Sequence, residues 1–230
     1  MNPLLTQIKL RPYYFIPTFV LLGLLVLFCF TYTRVQSFQF LNVYHPKWLD
    51  MFFVRYTFSG DGLVSIAAVI LLALCNKLKE AVTLLVAYIS SGLAGQLLKN
   101  TVDFPRPRLY FEQTMIHYQH FVEGVTLHDH SSFPSGHTAS AFAMATIFSL
   151  CFKDSRVSIA AFGLATLTGY SRIYLAQHFL PDVVGGAFVG IIFAMLTYYL
   201  IWQRSLQVPF INHNWKIRTF FKQKEDFSER

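Results

Sequence analysis

The stretch YYFIPTFVLLGLLVLFCFTYT, residues 13–33, carries no charged side chain. At about 1.5 Å of rise per residue, a helix of that length covers the ~30 Å hydrocarbon layer of a bilayer. Lys9 and Arg11 precede it as they would a secretory leader, but the run is too long and lacks a small-residue cleavage site, so it reads as a retained anchor. Five further apolar runs follow at 63–75, 81–98, 138–152, 157–176 and 183–202. The shorter ones fall below the ~20 residues a crossing needs, so they must extend into their flanks or tilt. Composition agrees: 13% of residues are charged and 54% apolar, where a soluble domain carries about 25% charge. The expected fold is all-α, a polytopic membrane helical bundle of about six transmembrane helices, forming a single domain over 1–230 with no internal repeat.

The net charge of +7 does not point to nucleic acid, because the basic residues fall in short clusters between apolar runs rather than along one polar face. With the N-terminus in the cytoplasm, the inner clusters are Lys9 and Arg11; Lys77 and Lys79; Lys153 and Arg156; and Arg204, Lys216, Arg218, Lys222, Lys224 and Arg230. They hold twelve of the nineteen Lys and Arg, which fixes the orientation by the positive-inside rule. Cys29, Cys75 and Cys151 sit in apolar runs and are too few and too odd in number for a scaffold. They are expected to be reduced, buried and inert. Residues 35–62 mix aromatics with scattered charge, as an interfacial segment does. The long polar stretch 99–135 should be a structured outer loop, and the basic, aromatic tail 203–230 a cytoplasmic anchor to anionic lipid.

Three islands stand at borders of these runs, and all three fall on the outer side. They are Lys99 through Arg106-Pro107; Pro134-Ser135-Gly136-His137; and Ser171-Arg172 followed by His178 and Asp182. Holding a phosphate ester without a metal takes several fixed cations around its oxygens together with backbone donors. Lys99, Arg106 and Arg172 can be the cations, the arginines as planar forks and the lysine as a point charge. Ser135 and Gly136 open the fourth run, where N–H groups at a helix start favour an anion. His178 lies four residues before Asp182, and a carboxylate there could accept from Nδ1 and leave Nε2 free to attack phosphorus. His137 is then placed to protonate the leaving group.

Lys-x6-Arg-Pro, Pro-Ser-Gly-His and Ser-Arg-x5-His-x3-Asp, in this order between Lys99 and Asp182, resemble the signature of the type 2 phosphatidic acid phosphatase and vanadium haloperoxidase superfamily. The apolar runs favour its membrane lipid-phosphatase branch over the soluble haloperoxidases. The resemblance implies phosphate binding by Lys99, Arg106, Ser135, Gly136 and Arg172, acid catalysis by His137, and nucleophilic attack by His178 supported by Asp182. It implies a lipid phosphate as substrate, hydrolysed through a phosphohistidine with no metal or other cofactor. Undecaprenyl diphosphate, phosphatidylglycerol phosphate, phosphatidic acid and lipid A phosphates all fit, at a bacterial inner membrane with the site facing the periplasm.

Each residue also has a plainer reading. Lys99 and Arg172 could snorkel at helix ends, Ser135 could simply cap a helix, and Asp182 could be an N-terminal charge. The conjunction of three islands on one side favours a site. His117, His120, His128 and His130 lack a cysteine or a helix-borne His-Glu partner, so solvated loop residues are expected rather than zinc ligands. Asp103 either meets the pocket or turns the loop, and Arg108 is expected to be exposed. A transporter, or a lipid-binding protein without turnover, is the competing functional class.

Overall fold

The computed structural model describes residues 3–118 and 120–204, and among these every regular element is helical. The helices are α1 (Pro3–Leu10), α2 (Pro12–Thr31), α3 (Arg34–Leu41), α4 (Lys47–Tyr56), α5 (Gly62–Leu74), α6 (Leu78–Thr101), α7 (Pro107–Gln113), α8 (Gly136–Cys151), α9 (Ser155–Tyr174) and α10 (Leu180–Tyr198). A 3₁₀ turn, Thr57–Gly60, links α4 to α5, and a π-helical turn, Tyr199–Gln203, extends α10. Most of the expected basic tail, from 205 onward, lies outside the described residues.

A helix covers each of the six apolar runs, but they do not all qualify as crossings by themselves. Pro12–Thr31, Leu78–Thr101 and Leu180–Gln203 are long and apolar enough, and Lys47–Gly60 with Gly62–Leu74, bent by 56°, makes a fourth if taken as one span. The exception with the clearest cause is α8. Its 16 residues give about 24 Å of helix, short of the ~30 Å layer, yet α6, α9 and α10 pack around it so that most of its residues are buried. The outer helices show the opposite pattern: Ile16, Phe19, Val20, Leu24 and Leu27 on α2, and Ile89, Leu93 and Leu97 on α6, are exposed at helical spacing. Apolar stripes of that extent are covered by lipid tails, and the chain is an integral membrane protein. The three cysteines are free as expected but not buried: Cys75 is exposed and Cys29 and Cys151 are half-buried.

The contact that registers the site is α8 on α10. A Cβ at Gly190 would lie 2.3 Å from the Ala139 carbonyl oxygen, and one at Gly186 would lie 2.4 Å from that of Ser135. Small residues four apart thus let the two backbones touch. The 35–62 segment is more ordered than an interfacial stretch requires, with α3, α4 and the 3₁₀ turn packing against α9.

Candidate active site

The C-terminal ends of α6 and α9 and the N-terminal ends of α8 and α10 carry most of the predicted residues. Lys99 stands in the last turn of α6 and Arg172 in the last turn of α9. Arg106 is the cap of α7, with its N–H donating to the Asp129 carbonyl at 2.8 Å. Both arginines are buried, 9% and 7% exposed, a costly place for a charge without a counter-ion. Arg106 donates from Nε to the His130 carbonyl at 3.0 Å, and from Nη1 to the Gln177 backbone and side-chain oxygens at 3.4 and 3.3 Å. Arg172 donates from Nη1 to Thr57 Oγ1 at 2.5 Å, and its Nε has no partner. Neither they nor Lys99 form an ion pair among the described residues. Neutral acceptors hold the forks in place, and the nearest carboxylates, Asp182 and Asp61, act on the cations only from beyond ion-pair distance. Burial drives the Arg106 pKa below its usual value, with Asp182 opposing that shift, and a guanidinium so placed still stays protonated.

At the start of α8 the structure corrects one expectation. Ser135 is the helix cap: its Oγ accepts from the Thr138 N–H at 3.4 Å and from the Thr138 hydroxyl at 2.9 Å. Its own N–H, expected to face phosphate, donates instead to the Asp182 carbonyl at 2.9 Å, because the cap residue's N–H lies behind the helix start rather than among its open donors. The donors at the mouth of α8 are those of Gly136 and His137.

His178 follows α9 in a turn whose N–H groups, at Gln177 and His178, return to the Arg172 carbonyl at 2.9 and 3.2 Å. Pro181 sits in the first turn of α10, as expected, with Asp182 behind it. His178 Nδ1 lies 3.6 Å from Asp182 Oδ2, longer than a hydrogen bond. That oxygen already accepts from Ser132 Oγ at 2.5 Å and from the Phe179 N–H at 2.9 Å. His178 Nδ1 and Asp182 Oδ1 are both buried without partners. The two side chains thus face each other at a separation typical of catalytic pairs before substrate binds. Burial, aided by Arg106 and Arg172 and opposed by Asp182, pushes the His178 pKa down to about 3, so the ring is neutral at physiological pH.

The three islands meet. Lys99 is within electrostatic reach of Arg106, Arg172 and Asp182, and His137 within reach of Arg172, Arg106 and Lys99. Lys99, Pro134, Gly136 and His137 also share a cavity of about 210 Å³. Other residues stay apart. Arg108, expected to be exposed, is half-buried and pairs with Glu112 at 3.1 Å. Asp103 accepts from the Ser131 N–H at 3.1 Å and so turns the loop. The four loop histidines are all exposed, and among the described residues no three His, Cys, Asp or Glu could together hold a metal ion. Sequence reasoning missed Thr57, Ser132 and Gln177. Gln177 adjoins His178 and Ser132 precedes the second island by two residues, so proximity could have flagged both. Thr57 carries no such signal.

The model of the PAP2 superfamily matches residues 80–206. Lipid A 1-phosphatase of Porphyromonas gingivalis is 44% identical over 30% of this chain and 16% of its own length. Lipid A 1-phosphatase of Rhizobium johnstonii is 33% identical over 46% of this chain and 42% of its own. The chain thus spans less than half of each of these curated relatives. The crystal structure of Aquifex aeolicus LpxE superposes with a TM-score of 0.61 at 31% identity, covering 71% of this chain and 93% of that one.

Proposed function

The chain belongs to the PAP2 superfamily, and on that premise we propose that it is a membrane lipid phosphatase, a single domain over 1–230 with six crossings. The observation that carries the reading is the set of cations without counter-ions, Arg106, Arg172 and Lys99, gathered around a buried neutral imidazole. Buried charge of one sign is stable only when something of the other sign binds, and a phosphate ester supplies it.

In this reading Lys99, Arg106, Arg172 and the Gly136 and His137 N–H groups hold the phosphoryl oxygens, while Ser135 shapes the helix mouth. His178 Nε2 attacks phosphorus and Asp182 accepts from Nδ1–H as the ring gains positive charge. The bond to the leaving oxygen breaks, and His137 gives that oxygen its proton. Water then attacks the phosphohistidine, His137 takes a proton from it, and inorganic phosphate leaves with His178 restored. No step requires a metal or other cofactor. The lipid A 1-phosphatases among the relatives support a lipid A type of phosphate, and undecaprenyl diphosphate, phosphatidylglycerol phosphate and phosphatidic acid fit the same site. The positive-inside pattern supports a site on the outer face, and the bacterial relatives support a bacterial inner membrane.

The test is turnover by purified protein in detergent with EDTA present. We expect inorganic phosphate release from a lipid phosphate, and loss of that release on His178→Ala with a monodisperse, folded variant. Near-normal release by that variant refutes the nucleophile, and an anion carrier or lipid-binding protein releases none at all.

A further inference from the structure

We propose that the cavity on the His137 side is a leaving-group pocket for a hydroxyl-rich, uncharged moiety such as a sugar ring, and not for a second phosphate or a bare alkyl chain. The proposal rests on the phosphatase reading above. In an in-line displacement the nucleophile and the leaving oxygen lie on opposite sides of phosphorus. The cavity is lined by His137 and Lys99, whereas His178 does not line it. Whatever His137 protonates therefore sits in this space.

Its walls mix polar and apolar groups and are far more polar than those of the two larger cavities among the helices. Tyr88 and Ser140 bring hydroxyls and Gln96 an amide whose nitrogen donates to Asn100 Oδ1 at 3.1 Å, while the Ser91 hydroxyl donates to the Tyr88 carbonyl at 3.0 Å. Such groups reward a substrate that hydrogen-bonds them and reject one that leaves them unpaired. Hydrocarbon has other places to go: cavities of about 600 Å³ between α2, α9 and α10, and about 380 Å³ between α5, α8 and α9, are lined almost wholly by apolar side chains. A leaving phosphate is disfavoured by charge, since Lys99 is the single cation on the wall and it also serves the transferred group. The volume of about 210 Å³ is below the ~300 Å³ at which pockets begin to enclose a whole ligand, and so suits one ring of a larger lipid. Glycines keep the space open. A Cβ at Gly92 meets nothing within 4 Å, and one at Gly95 first meets Pro134 at 4.0 Å. At Gly62 a Cβ would lie 2.1 Å from the Tyr88 hydroxyl, so that glycine allows Tyr88 to reach the wall.

The experiment compares kcat/KM, in detergent with EDTA, for an acylated glucosamine 1-phosphate, phosphatidic acid and a prenyl diphosphate. Wild type is expected to prefer the glucosamine phosphate. Gly92→Leu fills open space without a clash and should lower the ratio of glucosamine phosphate to phosphatidic acid by about tenfold or more, on the scale at which pocket shape discriminates. Tyr88→Phe should lower the same ratio less, and it carries the test if Gly92→Leu does not fold. A ratio unmoved in the folded variants, or a wild type that prefers the diphosphate, overturns the pocket. Wild-type protein that releases phosphate from none of the three overturns the phosphatase reading itself, a result separate from an unmoved ratio.

Discussion

Replacing Thr57 by Val removes one hydroxyl and keeps a β-branched side chain of similar size. In the buried turn before α5, that hydroxyl is the sole partner of Arg172 among the described side chains, at 2.5 Å from Nη1, and Arg172 Nε is already without one. A hydrogen bond to a charged group contributes about 1.5–3 kcal/mol, and stranding a buried donor costs a similar amount. If the guanidinium is held for the transition state, the whole loss falls on kcat/KM, roughly ten- to a hundredfold at ~1.4 kcal/mol per factor of ten. Ser171 Oγ, 3.3 Å from Thr57 Oγ1, donates elsewhere at 2.6 Å and is poorly placed to substitute. The assay is phosphate release from a lipid phosphate under EDTA, with thermal unfolding in detergent as the control for folding. Thr57→Ser should restore most of the loss. Activity of Thr57→Val within twofold of wild type, in folded protein, refutes the view that the 3₁₀ turn orients Arg172.

Three other outcomes follow from the same structure. Ser132→Ala takes from Asp182 Oδ2 its 2.5 Å donor; kcat should fall about tenfold with little change in KM, since one buried charged hydrogen bond is lost away from the phosphate, and an effect confined to KM counts against it. Gly190→Ala puts a methyl 2.3 Å from the Ala139 carbonyl and should destabilise by about 1–3 kcal/mol through overpacking, whereas Gly23→Ala, with nothing within 4 Å, should not; differential scanning of both in one detergent decides. The unfolded chain protonates His178 near 6.5, but the native state only near about 3. The unfolded state therefore binds more protons in that window, and stability is full above 6.5 and falls as pH drops toward 3; the thermal midpoint between pH 7 and 5 should fall less in His178→Asn than in wild type.

The membrane class and the six helical runs were legible because lipid demands long uncharged stretches, and the convergence of Lys99, Arg106, His137, Arg172 and Asp182 because each stands at the border of such a stretch. What stayed hidden depended on packing between elements distant in sequence. Thr57 reaches Arg172 across 115 positions, from a turn whose composition suggests only an interfacial segment. In sequence the Ser135 N–H reads as a phosphate donor because caps and first-turn donors look alike; only the approach of α10 shows that the Asp182 carbonyl takes it. Crossing by length failed for α8 because a helix wrapped by its neighbours need not meet the bilayer's thickness itself.

The contact between α8 and α10 also bears on mutational tolerance. The helix that carries His137, the proposed acid, and Asp182, proposed to support the nucleophile, are held in register by main chain against main chain, with Ser135 tied to Asp182 at 2.9 Å and glycines at the seam. Randomising the lipid-facing positions of α2 or α6 in a library should therefore yield many active clones, and randomising Gly186 and Gly190 almost none. On the proposed reading, drift can then reshape which lipids reach the site while the chemical step is inherited unaltered.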